Sequence, residues 1–60
     1  MEKRFVGVDE LASYLDISAD TIRYWVWQKQ IPHFKFGRRV KFDLKEIESW
    51  LSERRVEEIS

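Results

Sequence analysis

Apolar residues change their spacing twice along this 60-residue chain, and each change marks a change of backbone. Val8, Leu11, Ala12 and Leu15 recur at i, i+3, i+4 and i+7, one face of an α-helix. Ile22, Trp25 and Val26 keep the helical period in a second segment. Phe34-Lys35-Phe36 and Val40-Lys41-Phe42 then alternate with period two, as strands do. Leu44, Ile47, Trp50 and Leu51 return to helical spacing. The expected order is helix, tight turn, helix, hairpin, helix. That is an α+β, mainly helical fold in a single domain over residues 1–60, with its core in 7–51 and a charged tail at 52–60.

Local chemistry sets the expected boundaries. Gly7 is a tolerated N-cap for the first helix, with Asp9 and Glu10 at its positive end. Asp16 falls at the turn, where a left-handed residue is wanted. Ser18 is a strong N-cap for the second helix, which Ile31-Pro32 stops near Lys29-Gln30. Asp43 caps the third, with Glu46 in capping-box spacing. Residues 1–6 read as a lead-in whose Phe5 packs on the body. Placing Phe34, Phe36, Val40 and Phe42 on one buried face pairs Phe36 with Val40 and leaves Gly37-Arg38-Arg39 as the hairpin tip. That register sets Lys35 opposite Lys41, a costly pair unless an anion sits between them.

The chain has 11 basic and 11 acidic residues, a net charge of zero that taken alone argues against nucleic acid. Their positions argue otherwise. Residues 1–20 sum to −3, residues 21–42 to +6 and residues 43–60 to −3. The middle block holds Arg23, Lys29, Lys35, Arg38, Arg39 and Lys41 with no acid. An electrostatic footprint is read from such clustering as well as from the total.

Other classes are poorly served. A chain this short buries only about 60% of its unfolded surface and has little interior to spare for an enzyme pocket. No nucleophile–base arrangement, phosphate-cradling glycine loop or metal motif occurs, and His33, the sole imidazole, has no ligand partners at useful spacing. No catalysis, metal, cofactor or small-molecule ligand is expected. The sequence holds no cysteine, which fits a reducing, cytoplasmic setting, and no apolar run approaches the ~18 residues of a membrane span.

Two short helices joined by a tight turn form the frame that enters the DNA major groove, reading base edges from the N-terminal half of the second helix. That half carries Ser18, Asp20, Thr21, Arg23 and Tyr24. Ser18 and Thr21 can donate to phosphate or base, and Tyr24 to phosphate. Arg23 can take guanine bidentately or grip the backbone; Asp20 can accept from a cytosine amino group or orient Arg23. Arg38 and Arg39, with Lys35 and Lys41 behind them, read as a wing along the backbone or in the minor groove. Trp27 shares the recognition face and keeps three readings: cover for the hairpin base, a DNA contact, or a dock for a neighbouring subunit.

Leu11-Ala12, Asp16-Ile17-Ser18, Thr21-Ile22-Arg23-Tyr24-Trp25, Ile31-Pro32, Phe36-Gly37-Arg38-Arg39-Val40-Lys41-Phe42 and Trp50-Leu51, in that order, resemble the excisionase-type winged helix-turn-helix family. That family is a minimal relative of the MerR DNA-binding domain, whose second helix has a similar Thr-x-Arg-Tyr run. The resemblance covers residues 7–51 and implies a double-stranded DNA partner, in site-specific recombination or transcription regulation. Carried over by position, it makes Ser18, Thr21, Arg23 and Tyr24 helix contacts, Gly37, Arg38, Arg39 and Lys41 the wing, and Trp50 a structural residue beneath the wing. The sequence departs from the family at Gly7, Asp16 and Lys29, where Thr or Ser, Gly and Gly are usual. Few base contacts fit on so small a domain, so further copies on adjacent sites, or a recombinase, are expected partners. The reading of another class is a protein-interaction module on the same fold, docking through Trp27 and Tyr24.

Overall fold

The computed structural model describes residues 4–56, as β1 (Phe5–Val6), α1 (Val8–Leu15), α2 (Ala19–Trp27), β2 (Phe34–Phe36), β3 (Arg39–Asp43) and α3 (Leu44–Glu53). Residues 1–3 of the expected lead-in and 57–60 of the expected tail lie outside the described residues.

Both helices of the first pair stop by the same device. Asp16 is left-handed (φ 56°, ψ 45°), its N–H donates to the Ser13 carbonyl (3.3 Å), and the Ile17 N–H donates to that of Ala12 (3.0 Å). Lys29 repeats this after α2 at φ 57°, with its own N–H on Val26 (3.0 Å) and that of Gln30 on Trp25 (2.8 Å). These are Schellman motifs, which satisfy carbonyls the helix leaves orphaned. Neither uses glycine, so each carries a conformational cost of roughly 1 kcal/mol, less for Asp than for Lys. At the other end of α2, Ser18 is extended and its Oγ accepts the Thr21 N–H at 3.2 Å. Gly7 precedes α1 with no side chain to cap it.

The strands form one antiparallel sheet in the order β1-β3-β2. One expectation is extended here and another fails. The lead-in is a strand, with Phe5 opposite Asp43 and Val6 opposite Phe42. The hairpin register is one residue away from the Phe36–Val40 pairing: Phe34 faces Lys41, Lys35 faces Val40, and Phe36 faces Arg39. The loop is therefore Gly37-Arg38 alone. Gly37 has φ 63° and Arg38 is not left-handed, the pattern of a type II′ turn, whose twist matches that of paired strands. Lys35 and Lys41 do not oppose each other, so the inference of an anion between them is withdrawn.

A slip of one residue moves side chains to the other face of a sheet. Val40, Phe42 and Val6 point inward, whereas Phe34 and Phe36 join Arg39 and Lys41 on the outer face and are 40% and 55% exposed. Phe5 stands edge-on to both, at 5.7 and 6.3 Å between ring centroids.

The core draws on every element except β2. Leu11, Ile22, Phe42 and Ile47 are fully buried, with Val6, Ala12 and Ile31 around them. Each large side chain contributes roughly 1.5–3 kcal/mol by leaving water. Trp25 and Trp50 are half-buried and meet edge to face at 5.5 Å. Trp50 is structural, as expected, and packs at the end of α2. Its indole N–H donates to the Gln30 carbonyl (2.9 Å) and Arg54 lies 4.3 Å over its ring, which fastens α3 to the end of α2. Leu51 is 36% exposed and falls off the inward stripe.

One polar anchor went unforeseen. Asp43 ends β3, caps α3 and is only 4% exposed. Arg4 Nε and Nη2 donate to its Oδ2 (3.1 and 2.9 Å), the Lys45 N–H donates to its Oδ1 (3.0 Å), and the Leu44 N–H reaches the Arg4 carbonyl (2.9 Å). The Arg4 hydrogen bond, helped by the backbone N–H donors, holds the Asp43 carboxyl below its ordinary range; burial opposes this and loses.

Candidate nucleic-acid interface

The tight turn at Asp16 sends α2 across α1, and the Ser18 cap fixes where α2 begins. Ile22 is then held in the core, so the opposite side of the helix is turned outward. That side carries Asp20, Arg23, Tyr24 and Trp27, all exposed, Trp27 most of all at 79%. Thr21 is half-buried, and its Oγ1 lies 2.9 Å from Ser18 Oγ. The two hydroxyls thus form one polar pair at the helix N-terminus, where a phosphate is favoured.

Arg23 is bracketed by carboxylates. Nη1 is 3.3 Å from Asp20 Oδ1 on its own helix, and Nη2 is 3.9 Å from Asp9 Oδ1 on α1. Asp20 therefore orients Arg23, one of the two roles expected of it. Asp9 was not foreseen, since only the packing of α1 on α2 brings it near.

Between α2 and the hairpin lies an open cleft of about 700 Å³. Its wall includes Arg23, Lys29, Lys35 and Arg38 with Trp27 and His33, and no carboxylate. His33 Nδ1 donates to the Ile31 carbonyl at 2.8 Å, which orients the ring. The register decides membership here. Lys35 shares the Val40 face and points toward α2, and Arg38 reaches the cleft from the turn that Gly37 permits. Arg39 and Lys41 share the Phe34 and Phe36 face on the other side of the sheet. Lys41 Nζ lies at the start of α1, 3.7 Å from where a Cβ on Gly7 would stand.

The structure thus gathers Asp20, Arg23, Tyr24 and Trp27 on one side of α2 with Ser18 and Thr21 at its N-terminus, sets Lys35 and Arg38 across the cleft, and parts Arg39 and Lys41 from them. Sequence reasoning left out Lys29 and His33 as members of the cleft. The acid-free block contained both, but their side chains converge only because the chain reverses at Lys29.

The helix-turn-helix domain family matches residues 5–55. The chain belongs to that family. A helix-turn-helix domain binds DNA, and here the fold adds a three-stranded sheet with a hairpin wing. No curated protein and no solved structure matches the chain. Among the described residues of this helix-turn-helix domain, no helix is long and apolar enough to cross a membrane, and no group of three or more carboxylate or imidazole side chains is placed to hold a metal ion.

Proposed function

We propose that this helix-turn-helix domain recognises double-stranded DNA with sequence preference, acting in site-specific recombination or transcription regulation without chemistry of its own. The observation that carries the reading is the cleft: four cations and no carboxylate in its wall, beside the exposed side of α2. In this reading α2 lies in the major groove and the backbone strand beside it runs along the cleft. Ser18, Thr21 and the α2 N-terminus hold one phosphate, Tyr24 another, and Lys35 and Arg38 grip the flanking backbone.

Arg23 reads a base. Its exposed ion pairs are worth about 0–1 kcal/mol each, whereas a bidentate contact to guanine discriminates by about 1–3 kcal/mol. Exchange of carboxylate for guanine is therefore favourable. Trp27 packs on sugar or a thymine methyl at the cleft mouth. Further copies on neighbouring sites, or a recombinase, supply the specificity that so few contacts leave short.

In-vitro selection of bound duplexes, followed by gel shifts across a salt series, tests the proposal. Contact of the other three cleft cations, Lys29, Lys35 and Arg38, with phosphates gives log K against log salt a slope of about −2.7, and inclusion of Arg39 and Lys41 would make it about −4.5. A slope near zero with no enriched sequence defeats the reading. The 79% exposure of Trp27 favours one competitor, a protein-docking role through Trp27 and Tyr24. Binding that survives Arg38→Ala and is abolished by Trp27→Ala would select it.

A further inference from the structure

The outer face of the sheet has no part in the cleft. It presents Phe5 on β1 and Phe34 and Phe36 on β2 at 39%, 40% and 55% exposure, while the other face of β1 packs in the core and that of β2 carries Lys35 at the cleft. We propose that this face binds single-stranded nucleic acid, with bases stacked on Phe34 and Phe36 and phosphates paired with Arg39 and Lys41.

Ring geometry is the first argument. Phe34 and Phe36 stand two residues apart on β2, with planes only 19° from parallel and centroids 6.2 Å apart. Phe5 braces both edge-on, at 80° and 88°, and Arg4 lies 5.6 Å over its ring. Near-parallel rings two residues apart suit planar ligands in succession. Bases of a duplex keep their faces in the stack and cannot use such rings; a single strand can offer them.

Charge is the second argument. By register Arg39 is the cross-strand neighbour of Phe36, and Lys41 that of Phe34, so each ring has a cation beside it. The one carboxylate among the β3 residues of this face, Asp43, is buried and bound by Arg4. An anionic ligand with flat apolar groups fits this pattern. Phenylalanine has no polar handle, so recognition is tolerant of base identity.

The test uses the full chain with fluorescein-labelled dT10 and rU10 by anisotropy at low salt, and a selected duplex in parallel. At least one single strand binds, the stronger of the two showing whether DNA or RNA is preferred. Phe36→Leu keeps apolar bulk without a π face and weakens that strand about 10-fold or more, whereas Phe36→Trp holds or tightens it. Both variants bind the duplex as the parent does, and matched urea midpoints certify their folding. Arg39→Ala lowers the salt slope of single-strand binding by about 0.7. Three results overturn the proposal: no binding of either strand; equal binding by Phe36→Leu; or loss with Arg38→Ala alone, which places the strand in the cleft. A poly(Glu,Tyr) peptide that shifts the Phe34 and Phe36 ring protons while dT10 and rU10 leave them unmoved also overturns it, and marks a protein-docking face instead.

Discussion

The two faces of the β2–β3 hairpin are made from similar materials, aromatic or aliphatic side chains beside cations, yet they have opposite fates. On the inner face Val40 and Phe42 meet helices α1 and α3, Phe42 is fully buried, and Lys35 is left at the rim of the cleft. On the outer face Phe34 and Phe36 touch each other and Phe5 and stay between 40% and 55% exposed. Alternation in a strand announces that there are two faces. Which face goes inward is settled by what packs on it and by the turn that sets the register.

Stability should therefore divide sharply between the faces. Phe42→Ala is expected to cost about 3–5 kcal/mol, a large part of the roughly 3–9 kcal/mol available to a chain of this size. Phe36→Ala should cost about 1 kcal/mol or less, since over half of the side chain is already in water. Urea unfolding of both variants measures the contrast. Similar losses would mean that the outer face holds the fold as firmly as the inner one.

Duplex affinity should divide the same way. Arg23→Ala is expected to lose about 1–3 kcal/mol on the selected site and to relax its specificity. Arg38→Ala should weaken all sequences alike and reduce the salt slope by about 0.9, as befits a phosphate contact from the cleft. Arg39→Ala, on the outer face, should leave the duplex slope where it was. A full loss of slope in Arg39→Ala would return that side chain to the wing–duplex contact that its sequence position implied.

Asp43 is the point where the outer face is tied down, and pH tests the tie. Its native pKa is depressed by Arg4 and by backbone donors, so it stabilises the fold fully above the ordinary aspartate value of about 3.9. That contribution disappears as pH falls through the lower native value. Asp43→Asn should be less stable than the parent at neutral pH, and the gap should narrow as the solution is acidified through that window. A gap near zero at every pH would mean that the capping geometry, which an amide can still supply, is all that Asp43 provides.

The sequence carried most of this fold because its helices rest on local signals. The Ser18 and Asp43 caps, the turn at Asp16 and the stop before Pro32 all act within a few residues. What escaped was non-local or depended on a single degree of freedom. β1 is two residues long, too short for a period to show, and exists because β3 offers it a partner. The Arg4–Asp43 anchor spans 39 residues of chain. The hairpin register hung on reading Gly37 as the first residue of a two-residue loop, a signal that was present; burying every phenylalanine looked more favourable than it is when one face has nothing to pack against. For the site, α2 was legible from the cap and the period, whereas the division of Lys35 from Arg39 and Lys41 followed the register and failed with it.

The smallest expected effect separates the fold from the interface at the two left-handed residues. Asp16→Gly and Lys29→Gly each relieve a positive φ, so each should stabilise by up to about 1 kcal/mol, Lys29→Gly by the larger amount because Asp tolerates that conformation better. Greater freedom of glycine in the unfolded chain offsets part of the gain. The two diverge in binding. Asp16 sits in the turn away from the cleft, so its replacement should leave the salt slope unchanged, whereas Lys29 lines the cleft and its loss should lower the slope by about 0.9. Lys29→Gly is thus expected to melt later and bind duplex more weakly, the pattern of a residue kept in a strained conformation for its charge. If it gains stability and loses no slope, Lys29 serves only the negative end of α2, and the cleft has two phosphate contacts in place of three.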